Sequence, residues 1–223
     1  MEHKTYRFLP LITGIFTATL LVSHTIGSKI MVFGPLTFSV ALIIFPLSYL
    51  ANDILTEVYG YKTSRKVIWT GFAASLLMVL CYQAALAIPG APFWNDQSAF
   101  ETVLGGTPRL VAASMTAYFM GEFCNSYVLA KMKVKMKGKI VGFRFVASTV
   151  VGEFIDSITF FPLAFYGVIS NNVLISAILS GWVFKVIWEI VALPVTLPFV
   201  RYLKRAEHED YYDKNTNFNP FRF

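Results

Sequence analysis

Residues 143–166 read FRFVASTVVGEFIDSITFFPLAFY. This stretch decides the fold, because about twenty predominantly apolar residues are enough to cross a bilayer as a helix. Two acidic residues, Glu153 and Asp156, lie in its middle, where each ionised carboxylate costs several kcal/mol on insertion scales. The stretch therefore predicts a membrane-spanning helix that carries a polar site at depth.

The composition of the whole chain agrees with a lipid environment. Its 223 residues are 56% hydrophobic and 14% charged, whereas about a quarter of residues are charged in soluble domains. Only helices and closed barrels satisfy every backbone group in lipid, and the apolar runs lack the alternation of barrel strands. We predict an all-α integral membrane protein, a bundle of six transmembrane helices at residues 8–31, 35–59, 67–88, 110–130, 143–166 and 173–200.

The basic residues predict the orientation of this bundle. Of the 19 Lys and Arg residues, 16 lie before the first segment, between the second and third, between the fourth and fifth or at the very start of the fifth, or after the sixth. The positive-inside rule places these connections, and both termini, in the cytoplasm. Residues 1–205 are predicted to form the membrane domain, and residues 206–223 a polar cytoplasmic tail. We expect this tail to be disordered, because it lacks periodicity, and assign it no role.

Several classes of site and partner are not indicated. The basic clusters fit membrane topology rather than nucleic-acid binding. Cys81 and Cys124 lie in apolar runs without a nearby second thiol, so neither a disulfide nor a metal site is predicted. No cofactor is predicted, and the ATP-binding pattern G-x-x-x-x-G-K-[ST] is absent from the sequence. The expected partners are the lipid bilayer and a small solute; the oligomeric state stays open, with a homodimer as one option.

Acidic residues inside the apolar runs are the candidate functional residues. With a rise of about 1.5 Å per residue, the fourth, fifth and sixth helices bring polar groups to one depth. Helical spacing places these groups on one stripe of each helix. The predicted solute-binding residues are Glu122, Asn125, Glu153, Asp156, Lys185 and Glu189. Asp53, Glu57 and Arg144 are candidates for coupling or gating, with Asp53 and Glu57 nearer the cytoplasmic end.

Structural readings of some of these residues stay open. Lys185 and Glu189 are i, i+4 neighbours that could neutralise one another. Glu57, close to the basic stretch 62–66, is read as an interfacial charge. The prolines at positions 46, 162, 194 and 198 lie within apolar runs and are compatible with broken helices around a midplane site.

A short sequence echo links the fourth and fifth segments. Residues 121–126 read GEFCNS and residues 152–157 read GEFIDS. The two copies lie on helices of opposite direction. They would therefore present a Glu and an amide-or-acid group to a ligand from both sides.

These motifs also resemble a known family. The stretch NDILTEVYG at residues 52–60, the GEFCNS and GEFIDS copies, Arg144 and the pair Ser148-Thr149 are similar to the queuosine precursor transporter family, also described as vitamin uptake transporters. The resemblance runs from the first helix to Pro198. It implies a prokaryotic inner-membrane protein, not an enzyme, that imports 7-deazaguanines such as preQ0, preQ1 or queuine for tRNA modification.

The chemistry of the candidate residues is compatible with that implied substrate. One carboxylate, Glu122 or Glu153, can accept both the ring N–H and the exocyclic amine of a guanine-like edge. A cationic aminomethyl group would suit Asp156 or Glu189, and Asn125 could bond the ring carbonyl. Aromatic residues at this depth could stack on the purine plane, namely Trp182, Trp188, Phe119 and Phe123.

The sequence leaves open how transport is driven and which class of membrane protein this is. Carboxylates in an apolar bundle exchange protons, so proton coupling through Glu189 or Asp53 stands beside facilitated diffusion with metabolic trapping. The chain could also be the substrate-binding subunit of an ATP-driven vitamin importer. An intramembrane enzyme is disfavoured because the sequence has no H-E-x-x-H or G-x-S-x-G pattern. An ion channel fits a mixed polar site less well.

Overall fold

The computed structural model of the protein describes residues 5–27, 29–33, 36–106 and 108–222. The helices are α1 (Leu9–Ile26), α2 (Ala41–Ile44), α3 (Pro46–Tyr59), α4 (Tyr61–Ala87), α5 (Gln97–Leu104), α6 (Pro108–Lys135), α7 (Val141–Phe165) and α8 (Asn171–Ala206). Two short strands, β1 (Ile30–Phe33) and β2 (Leu36–Ser39), pair antiparallel between α1 and α2. The predicted helical membrane class is confirmed, with this hairpin as an addition.

The long helices match the six predicted segments. In the described part of the chain, five stretches are long and apolar enough to cross a membrane, namely α1, Ala41–Tyr59 (α2 with α3), α4, α7 and α8. The remaining long helix, α6, has 28 residues but is more polar, because it carries Glu122, Asn125 and Ser126 in its middle. It packs along α7 and also contacts α3 and α4, so it lies inside the bundle.

The first predicted boundary is wrong. The first helix was expected to reach Met31, but α1 ends at Ile26 and the chain enters β1. Residues 30–33 and 36–39 are rich in aliphatic and aromatic side chains that favour strands, and Gly-Pro between the two runs is a turn signal in the sequence. The predicted start of the second segment, Pro35, lies outside the described residues; the helical part of that segment begins at Ala41.

Prolines lie both at the start of one helix and inside two others. Pro46 does begin a helix, α3, after the interruption at Phe45. Pro162 lies inside α7, and Pro194 and Pro198 lie inside α8, which runs on to Ala206. The helices run on through these three positions, because a helix in a bundle can absorb a proline through local adjustment and neighbouring groups.

All the connections predicted to be cytoplasmic meet on one face. At the N-terminus, the Arg7 and Phe8 amides donate to the carboxylate of Glu207, at 3.0 and 2.6 Å. At the α3–α4 junction, the Tyr61 amide donates to Asp213 at 3.0 Å. We call this the basic face. The positive-inside count predicts that it is the cytoplasmic one.

The C-terminal tail is ordered against this face. Residues 207–222, which we call the strap, follow α8 and cross the ends of α3, α4 and α6. The Tyr211 amide donates to the carbonyl of Val58 at 3.1 Å, and the Arg65 guanidinium donates to the carbonyls of Asn217 and Asn219 at 3.0 and 2.7 Å. The expectation of a disordered tail is therefore wrong.

Aromatic side chains explain why the strap docks. Phe218 lies 4.8 Å from Tyr61, centroid to centroid, and Phe221 lies 5.8 Å from Trp69. The Trp69 indole also donates to the carbonyl of Pro220 at 2.9 Å. These aromatic contacts and matched hydrogen bonds offset the entropy of ordering the segment.

Candidate solute-binding site in the bundle interior

The structure brings the predicted polar residues together in the bundle interior. The six predicted solute-binding residues, on α6, α7 and α8, are each at most 9% exposed, and Asp53 on α3 is fully buried. The GEFCNS and GEFIDS copies lie where α6 crosses α7. Glycine at their first positions lets the two helix backbones approach, as Gly121 and Gly152 each lie against the opposite helix.

Asn52 organises the contact between α3, α4 and α6. Its amide nitrogen donates to Glu122 Oε2 at 2.5 Å and to Ser126 Oγ at 2.9 Å. Its amide oxygen accepts from Ser64 Oγ at 2.5 Å. Because three helices meet at one side chain, Asn52 holds the Glu122 carboxylate in a fixed position.

A second amide–acid contact links the same helices one position further along. The Asn125 amide donates to Asp53 Oδ1 at 2.6 Å. The predicted binding residue Asn125 is thus tied to the predicted coupling residue Asp53. A proton on Asp53, or its loss, would act directly on this contact.

Lys185 joins α8 to α7. Its Nζ lies 2.9 Å from Glu153 Oε2 and also bonds Asp156 Oδ2. Within the described part of the chain, no ion pair joins Lys185 to Glu189. The alternative that these two residues neutralise one another on α8 is therefore wrong for this conformation.

Several buried oxygen atoms at the site lack a hydrogen-bond partner among the described residues. These atoms are Asp53 Oδ2, Glu122 Oε1, Asn125 Oδ1 and Glu189 Oε1, with the hydroxyls of Thr149 and Ser157. Unpaired buried polar atoms are costly, and their presence calls for a specific explanation. Four of the six can only accept a hydrogen bond, so the site is suited to a ligand rich in donors.

Two of the three predicted coupling or gating residues, Glu57 and Arg144, form a separate cluster near the basic face, whereas Asp53 lies in the interior site. Glu57 Oε1 accepts from Arg144 at 2.7 Å and from Lys204 at 2.6 Å, and Glu57 is fully buried. Asp210 of the strap bonds Lys133 at 2.5 Å and Lys204 at 2.8 Å. The interpretation of Glu57 as an interfacial charge beside residues 62–66 is therefore wrong.

The electrostatics of this cluster depend on the strap. Three cations, Lys133, Arg144 and Lys204, surround one buried carboxylate of the bundle, and Asp210 supplies a second. Burial acts to raise the pKa of Asp210, but the hydrogen bonds and charges of the two lysines outweigh it and hold that pKa below its usual value. The strap thus helps to neutralise the excess positive charge of this cluster.

Three of the four aromatic residues proposed for the site from the sequence pack against other partners. Phe119 and Phe123 pack with each other and with Trp69, in the cluster that the strap covers. Trp182 donates its indole N–H to the carbonyl of Val150 at 2.9 Å and packs on α7. The aromatic rings beside the carboxylates are instead Phe45 and Tyr49, from the start of α3.

Some residues of these networks were missed by sequence reasoning. Asn52, Ser64 and Phe45 gave no charge signal, although Asn52 lies in the NDILTEVYG motif. Lys133, Lys204 and Asp210 were read only as topology signals or as part of the tail. Within the described residues, no group of three or more His, Cys, Asp or Glu side chains could hold a metal ion.

A family model described as "Putative vitamin uptake transporter" matches residues 39–199. The chain belongs to this family. The match covers α3, α4, α6 and α7 and most of α8, and therefore every helix that contributes to the site. Family membership makes the chain a multi-pass membrane transporter rather than an enzyme, and confirms the family resemblance noted in its motifs.

Two relatives carry a more specific name. The chain is 25% identical over 193 residues to a "Probable queuosine precursor transporter" of Bacillus subtilis (strain 168). The matched stretch covers 86% of this transporter and 84% of the relative. It is 25% identical over 122 residues to a "Queuosine precursor transporter" of Escherichia coli (strain K12), covering 55% and 52% of the two chains. No solved structure matches the chain.

Proposed function

We propose that this transporter imports queuosine precursors, 7-deazaguanine bases of the preQ0, preQ1 or queuine type, across a prokaryotic inner membrane. The observation that carries the proposal is the excess of unpartnered buried acceptors on α3, α6 and α8 in the bundle interior. A guanine-like edge presents a ring N–H and an exocyclic amine, so it supplies the donors that these acceptors need. The names of the two relatives support the same solute class.

Glu122 is the residue best prepared to receive that edge. Asn52 holds Oε2, while Oε1 has no partner among the described residues. A carboxylate oxygen has two lone pairs, so Oε2 can accept a second bond while Oε1 accepts the first. Glu122 is therefore assigned to the guanine-like edge, with Asp53 and Asn125 as neighbouring acceptors.

Uptake in cells that cannot make the precursors tests the proposal. Such cells express the wild-type chain, Glu122→Gln or Glu153→Gln, receive labelled precursor, and are assayed for queuosine in tRNA. The matched control is Glu101→Gln, which alters an exposed carboxylate on α5. We expect rescue by the wild type and by the control. In the Glu122 variant, uptake should fall at least about tenfold, since a loss of about 1.4 kcal/mol in binding free energy corresponds to a factor of ten.

Two results would contradict the proposal. If the wild-type chain is inserted in the membrane but no precursor restores queuosine in tRNA, the proposed solute class is wrong. If rescue occurs only together with a co-purifying ATPase, the chain is the substrate-binding subunit of an ATP-driven importer. Uptake that collapses with the proton gradient would indicate proton coupling, whereas uptake that persists would indicate facilitated diffusion.

A further inference from the structure

The ammonium group of Lys185 lies in a cage of two different kinds of partner. Two carboxylates of α7 bind it: Glu153 Oε2 lies at 2.9 Å, and Asp156 Oδ2 is also hydrogen-bonded. Two aromatic rings face it from the other side, with the centroids of Tyr49 and Phe45 at 5.5 and 5.7 Å from Nζ. Carboxylates combined with aromatic faces are the means by which proteins bind organic ammonium ions.

A second acceptor for Lys185 lies one turn along the same helix. Glu189 is only 3% exposed, and its Oε1 has no hydrogen-bond partner among the described residues. Positions i and i+4 are neighbours on a helix surface, and a lysine has four flexible methylenes. Lys185 can therefore move from the α7 carboxylates to Glu189 by changing its side-chain rotamers, without any movement of α8.

We propose that Phe45, Tyr49, Glu153 and Asp156 form a site for the primary ammonium group of a transported solute. In the free protein Lys185 occupies this ammonium cage as a tethered stand-in, and the solute's ammonium displaces it towards Glu189. The proposal rests on the proposed function and narrows it to precursors that carry an aminomethyl group. The exchange leaves one cation in the cage and gives Glu189 its missing partner.

Charge balance favours this exchange over simple addition of a solute. With Lys185 in the cage, two carboxylates share one cation, and Glu189 is left without a partner atom at Oε1. With a solute ammonium in the cage, three carboxylates share two cations. A neutral solute cannot displace Lys185 in this way, because the cage would lose its only cation.

The competition between lysine and solute has a measurable consequence. A ligand that binds only when Lys185 has left the cage shows an affinity reduced by the fraction of time for which the cage is empty. Replacing Lys185 by Met removes this competitor. Replacing Glu189 by Gln removes the destination of the displaced lysine and has the opposite effect.

The experiment compares two ligands that share one ring. Binding of the 7-aminomethyl and 7-cyano forms of 7-deazaguanine to the purified full chain is measured by calorimetry. In Lys185→Met we expect the aminomethyl ligand to bind at least about tenfold more tightly, and in Glu189→Gln about tenfold more weakly, with less than about twofold change for the cyano ligand. Lys62→Met, an exposed lysine on α4, is the matched control.

A second variant covers a failure of Lys185→Met to fold. Lys185→Met with Asp156→Asn keeps Glu153 as the cage carboxylate and preserves the net charge of the wild-type cage. The same selective gain for the aminomethyl ligand is expected there. Equal changes for both ligands, or a weaker aminomethyl ligand in Lys185→Met and in the double variant, would overturn the proposal.

A ring-free probe separates this proposal from the proposed function. Propylammonium chloride should protect the chain against thermal unfolding, and more strongly in Lys185→Met than in the wild type. If neither 7-deazaguanine binds but propylammonium protects in this pattern, the cage stands and the solute class fails. If both 7-deazaguanines bind and propylammonium gives no protection in either protein, the cage is rejected and the solute class stands.

Discussion

Gly121 of α6 and Gly152 of α7 lie against each other's backbone carbonyl at the helix crossing. A Cβ built on Gly152 would come 3.0 Å from the carbonyl oxygen of Gly121, and one built on Gly121 would come 3.2 Å from that of Gly152. The next contacts are matched too. A Cβ on Gly152 would meet Asn125 Cβ, and a Cβ on Gly121 would meet Asp156 Cβ. The two copies of the sequence echo therefore cross with local two-fold symmetry.

Replacing Gly152 by Ala should force this crossing apart. The new methyl group would lie 2.6 Å from Asn125 Cβ, and overpacking of this kind costs about 1–3 kcal/mol. Because Glu122 and Glu153 each follow one of the glycines, solute uptake should fall as well. Thermal unfolding of the purified protein and uptake in cells measure the two effects.

Gly14→Ala is the matched control for this change. Gly14 lies in α1, and a Cβ there would have no atom within 4 Å. Alanine is favoured over glycine inside a helix by about 1 kcal/mol, so this variant should be at least as stable as the wild type. Equal stability of the two alanine variants would show that the crossing tolerates a methyl group.

Asn52→Ala should weaken the contact of α3 with α4 and α6. The substitution removes the donor to Glu122 and Ser126 and the acceptor of Ser64. Buried groups left without partners cost about 1–3 kcal/mol each. We expect a lower unfolding temperature together with weaker solute binding, because Glu122 loses its fixed position.

Asn95→Ala, in an exposed part of the α4–α5 connection, is the control for Asn52→Ala. It should leave the unfolding temperature and solute binding unchanged. Binding that stays at the wild-type level in Asn52→Ala would mean that Glu122 is positioned by other contacts. A structure of the variant would then show which.

Glu57→Gln should be among the most damaging single changes on the basic face. It would leave Arg144, Lys133 and Lys204 with Asp210 as the remaining carboxylate of the cluster. Breaking a buried ion pair by removing one partner costs about 3–5 kcal/mol. The measurement is the yield and the unfolding temperature of the purified protein.

Adding Lys204→Met to Glu57→Gln lowers the excess of cations over carboxylates in the cluster by one and should recover part of the loss. If the double variant is less stable than the single one, Lys204 stabilises the face mainly through Asp210. That result would contradict a central role for Glu57 in the cluster.

Asp210 should make docking of the strap dependent on acidity. Its pKa is held below the usual value in the folded chain, so it stabilises docking at and above the ordinary carboxyl pKa of about 3.9. This contribution is lost as the pH falls through the lower, folded pKa. Asp210→Asn lacks the contribution at every pH.

The stability difference between the wild type and Asp210→Asn should therefore be constant from neutral pH down to about pH 5 and shrink below it. Thermal unfolding across that range measures it. Lys214→Ala, an exposed change in the same strap, should show no such pH-dependent difference. A difference that persists unchanged at pH 3 would mean that Asp210 acts through shape rather than charge.

The residues that could be located from the sequence share one property: a charged side chain is energetically costly inside the lipid bilayer. Glu122, Glu153, Asp156, Lys185 and Glu189 stand out because a charge in an apolar run needs a reason, and helical rise converts their positions into depth. The same reasoning could not decide whether Lys185 pairs with the carboxylates of α7 or with Glu189. That choice depends on how α8 rotates against its neighbour, which no local pattern records.

The residues that it missed are neutral or distant in sequence. Asn52 carries no charge and is inexpensive on a helix, so its contact with α4 and α6 becomes visible only when the helices are packed. The strap was missed for a related reason. Its order comes from Phe218 and Phe221 meeting rings that precede them by well over a hundred residues, and a composition rich in Asn and Asp hides that contact.

The docked strap has a consequence for the order of biosynthesis. The backbone amide of Tyr61, at the start of α4, is satisfied by Asp213, which is separated from it by 152 positions. When α3 and α4 enter the membrane, the ribosome has not yet made the residues that complete their junction. That end of the early helices must wait, hydrated or held by other factors, until the strap has been made. Assembly of the basic face therefore finishes only when the strap docks, and a bulky group inserted into the strap would interfere with that step.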